Sequence, residues 1–425
     1  MKDKYRIPRG TYDILPQDSF KWQYLEKVFR EVATNFNYYQ ITTPIFERAI
    51  LFERSVGDTT DIVEKEMYKF KDKKDRIFAL RPEGTASVVR SYVENNLGDF
   101  AYPVKLFYFG PMFRYDRPQK GRYRQFYQFG VENIGSNDPF SDAEVIALAY
   151  LFFQKLGLKN FQLEINSIGC SNCTKDYDNA LIDYFKPFQN DLCQDCRIRI
   201  KKNPKRLLDC KVPSCQKIAR NAPSMLDYLD DGCKQDFEEV KSYLKLMKIP
   251  YRINSRIVRG LDYYNKTAFE FINNNLGAQN ALAGGGRYNG LVEQLGGKNV
   301  PGIGFAGGFE RLILSMDQEN LPFGDRENLD VYLVAIGKKA REMCVVMLQD
   351  LRRADFSADL GVENSSVKSQ MKKADRSGAM FTLILGEDEI VKSSVILKNM
   401  LSGEQLTVPF SELIPTLKSK LISQS

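Results

Sequence analysis

The chain has 425 residues, of which 43% are hydrophobic and 27% charged, with a formal net charge of +7. That length allows two or three domains, and the composition is that of an ordinary soluble globular protein. There is no histidine at all, which excludes histidine-dependent triads, HExxH metal sites and imidazole general bases.

The positive balance favours a polyanionic partner. Eight cysteines do not make a disulfide scaffold in a chain of this size. The start, MKDKYRIPRG, is charged and lacks an apolar signal-peptide core, and no later segment offers the run of about eighteen apolar residues that a membrane span needs. A cytoplasmic protein is expected.

Residues 6–16, RIPRGTYDILP, form a turn-rich entry. After Ser19 the stripe Phe20, Leu25, Val28, Phe29 and Val32 has helical spacing and predicts an amphipathic helix through FKWQYLEKVFREVATNF. YYQITTPIFE reads as a strand interrupted by Pro44, which argues for an edge or an interface. RIFALRPEGT is a strand running into a turn, with a helix beginning near Thr85. Glu83 and Thr85 therefore sit at a strand-to-helix junction, where polar groups and free backbone donors converge on a ligand. A threonine cap beside a solvated glutamate explains the same residues equally well.

The stretch GPMFRYDRPQKGRYRQFYQFGVENIG, residues 110–135, predicts a hairpin. Its first strand ends near Phe113 and Arg114, and after a turn from Tyr115 to Gly121 the alternation resumes. Arg122, Arg124, Phe126, Gln128 and Glu132 share one parity, giving a cationic, aromatic and amide-bearing face with a carboxylate at its far end. Phe126 and Glu132 are then roughly 20 Å apart, a span suited to a nucleotide base at one end and a small substrate at the other. Arg114 on the facing strand adds a planar fork that suits phosphate oxygens. The plain alternative is an exposed edge hairpin with solvated arginines.

AEVIALAYLFFQKLG and FQLEINSIG read as a structural helix and strand. From Cys170 to about Pro250 the chain is polar and helical and holds seven of the eight cysteines, which marks an insertion domain. Cys193-x2-Cys196 followed by Cys210-x4-Cys215 has spacing compatible with structural zinc, and Cys170-x2-Cys173 supplies another pair. Six thiols for four positions leave the ligand set open, so no metal-binding residue is assigned.

YRINSRIVRGLDYYNKTAFEFI returns to strand character. GGGRYNG, residues 284–290, lacks the Lys-Ser/Thr of a P-loop and suits close backbone approach to a ligand. VPGIGFAGGFERLILSM gives a strand and then a helix with Glu310 and Arg311 in its first turn, an arginine opposing the helix dipole. Beyond the linker LPFGDREN, residues 321–328, the strands VYLVAI, SADL, MFTLIL and LTV alternate with the helices KKAREMCVVMLQDLRRA and SVKSQMKKADRSG. They predict an α/β domain of about a hundred residues.

FRYDRPQKGRYRQFYQFGVE resembles motif 2 of class II aminoacyl-tRNA synthetases, specifically the histidyl-tRNA synthetases, and RGLDYY, residues 259–264, resembles a segment particular to the histidyl members. The N-terminal helix, strand and proline resemble motif 1, the family's dimer interface, and VPGIGFAGGFERLILSM resembles motif 3. The resemblance implies an α+β catalytic domain over residues 1–325, built on an antiparallel sheet flanked by helices. A helical insertion at 170–250 would interrupt it, and a C-terminal α/β anticodon-binding domain would occupy 328–425. It further implies a homodimer that uses ATP, with accompanying Mg2+, to convert L-histidine to histidyl-adenylate. The histidyl group would pass to the 3′ end of tRNA(His), releasing AMP and diphosphate, with neither DNA nor membrane as partner.

Site roles follow from the same resemblance. Arg259 and Arg114 would be catalytic, holding carboxylate and α-phosphate, with Arg122 and Arg311 on the terminal phosphates and Phe126 stacked on adenine. Glu83, Thr85 and Gln128 would hold the ammonium group, Glu132 and Tyr264 the imidazole nitrogens, and Tyr263 and Tyr288 would line the amino-acid pocket. Gly302 and Gly304 would let the base lie against the backbone, and Arg117 and Gln119 would read the tRNA acceptor end. Structural zinc through the Cys170 to Cys215 cluster stays open. The competing relative is an inactive paralogue, the regulatory subunit of ATP phosphoribosyltransferase, which generally lacks the C-terminal domain and loses active-site residues.

Overall fold

A proline at the start of a helix loses nothing, because its missing N–H would be unpaired there anyway. The first helix, α1 (Pro16–Asn35), accordingly begins ahead of Phe20, and its buried stripe is Leu25, Val28, Phe29, Val32 and Ala33. Pro44 then separates two short strands, β1 (Tyr39–Gln40) and β2 (Phe46–Arg48), each at the edge of a different sheet. This computed structural model describes residues 5–422 apart from 58, 59, 61, 211, 325–328, 363 and 364, so the end of the expected linker lies outside the described residues. It divides into two compact units, Met1–Gly324 and Asp325–Ser425.

In the first unit the chain continues through α2 (Ala49–Val56), β3 (Lys69–Lys71), β4 (Ile77–Leu80) and α3 (Thr85–Glu94). The long hairpin follows as β5 (Val104–Phe113) and β6 (Gln125–Ile134). The returning strand starts later than expected. Gln119 and Arg122 exchange backbone hydrogen bonds in a tight local turn, and the Arg124 N–H goes to the carbonyl of Gly10. Arg122 and Arg124 therefore belong to the connecting loop and not to the sheet face.

Next come α4 (Pro139–Lys155), β7 (Gln162–Ser167), α5 (Ser171–Phe185), α6 (Gln194–Lys202), α7 (Pro213–Ala219) and α8 (Asp231–Leu246). The unit closes with β8 (Arg252–Ile253), β9 (Asn265–Ile272), β10 (Ala281–Arg287), α9 (Leu291–Gln294), β11 (Gly302–Gly308) and α10 (Phe309–Gln318). Arg259 to Tyr264 precede β9 in irregular backbone, so RGLDYY is a loop and not a core strand.

Eight strands form the main sheet in the order β1-β5-β6-β11-β10-β9-β7-β8, with β2-β4-β3 as a separate small sheet. All inner pairs of the main sheet are antiparallel, and only the edge pairs β1–β5 and β7–β8 are parallel. Alternation gives this sheet two different faces. Phe129, Val131, Phe305, Phe269 and Phe271 join the core formed with α1, α4, α8 and α10, where Phe129 stacks on Phe309 at 5.2 Å and Phe153 meets Phe271 at 5.1 Å. The residues between them face the other way.

The insertion is shorter than expected. Phe237, Val240 and Leu244 form one apolar stripe of α8 and are buried in the main core, so α8 belongs to the body of the main sheet. The helices α5, α6 and α7 share a smaller core of their own around Tyr177, Leu181, Phe185, Cys196 and Cys215.

The second unit runs β12 (Val331–Ala335), α11 (Lys338–Arg353), β13 (Ala358–Leu360), α12 (Val367–Arg376), β14 (Phe381–Leu385) and α13 (Glu387–Val391). It ends with β15 (Ser394–Asn399), β16 (Gln405–Pro409) and α14 (Leu413–Ile422). Its sheet has the order β13-β12-β14-β15-β16, parallel across the first three strands and antiparallel across the last three. The expected strands omitted β15, whose apolar run of Val395 to Leu397 is too short for periodicity to register. Among the described residues no helix is long and apolar enough to cross a membrane.

One buried ion pair fastens the main sheet to α4. Arg287, at the end of β10, lies 2.6 Å from Asp142, and its guanidinium also donates to the carbonyls of Ser136 and Asp138. Both side chains are almost wholly buried. Removing one partner strands the other charge, so Arg287→Ala should lower the unfolding free energy by about 3–5 kcal/mol in urea melts. A loss below about 1 kcal/mol would show that the pair is dispensable.

Candidate active site

Across the middle of the sheet face opposite the core, the residues have little or no side chain. Gly130, Ala306 and Gly284 stand in register on β6, β11 and β10, next to the pair Gln128 and Gly308. Above this floor lies a cavity of about 400 Å³. Its walls come from distant parts of the chain: Glu83 and Thr85 at the start of α3, Arg114 after β5, Phe126 and Gln128 on β6, Arg259, Tyr263 and Tyr264 before β9, and Arg311 on α10.

Four guanidinium groups face this cavity, each held differently. Arg114 donates from Nε to the Pro82 carbonyl at 2.8 Å and lies 5.4 Å over the Phe126 ring; burial lowers its pKa. Arg259 pairs with Glu270 at 2.5 Å and lies 5.2 Å over Tyr264. Burial works to lower its pKa, but Glu270 and Tyr264 outweigh that and the net shift is upward. Arg311 donates to the carbonyls of Ala281 at 2.7 Å and Gly121 at 3.2 Å, and burial followed by the charges of Arg114 and Arg122 lowers its pKa. Arg122 reaches the cavity from the loop, paired with Asp116 and, at 3.5 Å, with Glu66. Arg124 does not line the cavity: it stacks 4.0 Å over Tyr115 and donates to the Asp116 and Arg9 carbonyls.

At the other end, Glu83 accepts from the N–H groups of Thr85 and Ala86 at 2.7 and 2.8 Å. It caps the helix start and lines the cavity at once; burial raises its pKa. The Tyr263 hydroxyl is 3.5 Å from Glu83, and the rings of Tyr263 and Tyr264 are 4.6 Å apart. Two buried atoms of lining residues have no hydrogen-bond partner among the described residues: the acceptor Gln128 Oε1 and the donor Arg259 Nε. Each unpaired group costs about 1–3 kcal/mol, which a ligand of the opposite hydrogen-bonding character would recover.

Glu132 and Tyr288 do not reach the cavity surface, being 0% and 1% exposed. Glu132 lies beneath Thr85, whose hydroxyl donates to it at 2.7 Å, with the Tyr108 hydroxyl at 3.3 Å. Gly302 and Gly304, expected against a base, instead make room for these side chains. A Cβ on Gly304 would fall inside the Glu132 carboxylate, and one on Gly302 inside the Tyr288 ring. Gly284 does the same for Arg259, whose Nη1 would be 2.6 Å from an added Cβ. Arg117 and Gln119 stand apart from the cavity, exposed on the hairpin loop.

Of the lining carboxylates, Asp116, Asp209, Glu270 and Glu310 received no role from the sequence. Glu270 holds Arg259, and Glu310 accepts from the Tyr127 N–H at 2.8 Å and the Tyr12 hydroxyl at 2.9 Å, tying α10 to β6. The available signal for Glu270 was a lone acid in the aromatic strand AFEFI. Tyr127 itself packs toward the core, away from the cavity, in keeping with its parity.

Arginines carried around an antiparallel sheet face, with a strand-to-helix junction closing one end, are the arrangement of class II aminoacyl-tRNA synthetases, and this fold is of that class. A family model described as histidyl-tRNA synthetase matches residues 10–173 and 213–312, and one described as an anticodon binding domain matches residues 330–420. A histidine--tRNA ligase from Halothermothrix orenii is 50% identical over 413 residues, 97% of this chain and 99% of the relative. One from Geobacillus sp. is 50% identical over 420 residues, 98% of this chain and 99% of the relative. The crystal structure of apo S. aureus histidyl-tRNA synthetase aligns with a TM-score of 0.83 at 43% identity, covering 97% of this chain and 99% of that one. The chain belongs to the histidyl-tRNA synthetase family.

The Glu132 carboxyl gives a pH signature. Burial pushes its pKa up to about 8, against the pull of the Thr85, Tyr288 and Tyr108 hydroxyls. An acid whose pKa rises on folding stabilises the fold below its unfolded value, and that stability is lost as pH rises toward 8. Thermal melts from pH 5 to 8.5 should show the wild type losing stability relative to Glu132→Gln, which cannot ionise. Parallel melting curves for the two proteins would rule the buried acid out as the source.

Proposed function

We infer that this enzyme is a histidine--tRNA ligase that forms histidyl-adenylate from L-histidine and ATP. It then passes the histidyl group to the 3′ end of tRNA(His), releasing AMP and diphosphate. The observation that carries the reading is the unpaired acceptor on Gln128 and the unpaired donor on Arg259 in one cavity ringed by guanidinium groups. An amino acid offers an ammonium group to the first and a carboxylate to the second, and a nucleotide supplies anions for the remaining arginines.

In the first step the histidine carboxylate attacks the α-phosphorus of ATP. The bond from that phosphorus to the bridging oxygen breaks, and diphosphate leaves with its electrons. No protein nucleophile is needed, so the enzyme's work is positioning and stabilisation of charge on the α-phosphate oxygens. Arg259 and Arg114 are the catalytic residues for that charge. Glu270 keeps the buried Arg259 guanidinium paired until substrate oxygens arrive. Phe126, already under Arg114, stacks on adenine, a contact worth about 1–3 kcal/mol.

Arg122 and Arg311 hold the terminal phosphates. Magnesium arriving with ATP would offset the charge of those phosphates, and Glu270 and Glu310 on the cavity wall would be oxygen donors for it. Glu83, Thr85 and Gln128 take the ammonium group. Tyr264 serves an imidazole nitrogen from the cavity wall, and Glu132, sealed beneath Thr85, acts on the ring only through the Thr85 hydroxyl that it holds, with Tyr263 and Tyr288 packed nearby. A site built on such bonds rejects an amino acid lacking them by about 10⁴ to 10⁵.

In the second step a 3′-terminal ribose hydroxyl attacks the adenylate carbonyl and AMP departs. Arg117 and Gln119, exposed on the hairpin loop, are available to the acceptor end, and the second unit binds the anticodon region. The small sheet exposes Phe46, Phe70 and Ile77, with Ile45 and Ile50 beside it, and Phe46 and Phe70 lie 6.0 Å apart. A contiguous apolar patch of this kind supports a homodimer in which a second copy covers it. The cytoplasm, where ATP and tRNA are found, is the matching location.

Histidine-dependent ATP–pyrophosphate exchange followed by tRNA charging tests the reading directly. Arg259→Ala should lose about 10³ to 10⁵ in exchange rate, and exchange within about tenfold of wild type would remove Arg259 from its role. Gln128→Leu should raise the KM for histidine by about tenfold or more without lowering the melting temperature, since it deletes an unpaired buried acceptor. An unchanged KM would place the ammonium group elsewhere.

A further inference from the structure

Seven of the eight cysteines fall between Cys170 and Cys233, and the fold sorts them, together with one aspartate, into two groups of four. Cys193, Cys196, Cys210 and Cys215 form one group; Cys170, Cys173, Asp230 and Cys233 form the other. Within each group all four donor atoms lie within 4.8 Å of one another. Every thiol involved is free.

The separations decide what such groups can hold. The sulfurs of Cys193 and Cys210 are 3.9 Å apart and those of Cys170 and Cys173 are 3.6 Å apart. A disulfide requires about 2.05 Å. Four thiolates bonded at about 2.3 Å to one tetrahedral zinc ion stand about 3.8 Å from each other, which is the spacing found. An iron–sulfur cluster would hold its thiolates at the corners of a much larger figure.

The surroundings are those of ligands, not of scattered apolar thiols. The Cys193 N–H donates to the Cys215 sulfur at 3.2 Å and the Asp230 N–H to the Cys173 sulfur at 3.2 Å, bonds that favour a thiolate and fix its direction. Asp230 divides its carboxylate: Oδ1 accepts the Cys233 N–H at 2.7 Å and caps α8, while Oδ2 points at the Cys170 sulfur from 3.1 Å. Cys344, by contrast, sits alone in the apolar core of the second unit, the ordinary fate of a buried cysteine.

We propose that the insertion carries two structural zinc ions, one bound by Cys193, Cys196, Cys210 and Cys215 and the other by Cys170, Cys173, Cys233 and Asp230. Each ion binds as its thiols release their protons to solvent, and four protein ligands leave no position open for water or substrate. Their placement assigns each a task. The all-cysteine site closes the core of α5 to α7, a body of the size at which an apolar core alone gives marginal stability. The mixed site joins the point where the chain leaves β7 to the point where it returns in α8, and so fastens the insertion at its base. From that body Arg206 donates to the Gly260 carbonyl at 2.8 Å, so a fixed insertion also steadies the loop that carries Arg259.

Elemental analysis of the full-length protein, purified without chelator, should find about two zinc ions per chain. Cys196→Ser and Cys173→Ser should each lose about one, and the double variant both. Cobalt-substituted wild-type protein should show the charge-transfer and visible bands of tetrahedral thiolate-bound cobalt, a readout that needs no variant to fold. Wild-type protein without stoichiometric metal, or zinc content unchanged in both variants, would overturn the proposal. A single zinc lost in Cys196→Ser and kept in Cys173→Ser would overturn the mixed site.

Discussion

A row of glycine and alanine across three neighbouring strands, Gly130, Ala306 and Gly284, is the constraint on which the catalytic unit depends. Strand alternation puts phenylalanines on the reverse of the same strands, so one sheet serves as core wall on one side and cavity floor on the other. A side chain on Gly284 would take the space of Arg259, and one on Gly130 would run into the Tyr108 ring. The packing of Phe129, Phe305 and Phe269 against α1, α4 and α10 then holds that floor in place while the walls are assembled from elsewhere.

Around the floor the energetics are those of groups kept slightly unsatisfied. Burial works against the charge of Arg114 and Arg311, and backbone carbonyls together with nearby glutamates offset part of that cost. Arg259 is held by Glu270 closely enough to stay charged, yet it retains an unpaired Nε. Such preorganised donors cost stability when the site is unliganded and stabilise anions when it is filled, which is how a protein without a nucleophile accelerates attack on phosphorus. The insertion solves a different problem. With only a small core of its own it relies on convergent thiols, while α8 lends its apolar face to the larger body.

Much of this was legible from residue order. The hairpin, the helix start at Thr85, the strand-to-helix step before Glu310 and Arg311, and the alternation of the second unit all follow from periodicity, turn chemistry and helix signals, which act over a few residues. The identities that line the cavity, Glu83, Gln128, Arg114, Arg259 and Arg311 among them, could be named because their motifs are short and contiguous.

Other features exist only in three dimensions. A local turn at Gln119 and Arg122 removed two arginines from the strand, although one of them still reaches the cavity. Glu132 was sealed beneath Thr85 and Tyr288 was buried as well, and the glycines meant for a base were taken up by those two side chains. Cys233 and Asp230 joined Cys170 and Cys173 across more than fifty intervening residues. Short-range patterns set which elements form and which face of each is apolar. Which atoms from separate elements meet is decided by sheet register and helix docking, where contact between remote residues outweighs the preferences of any one segment.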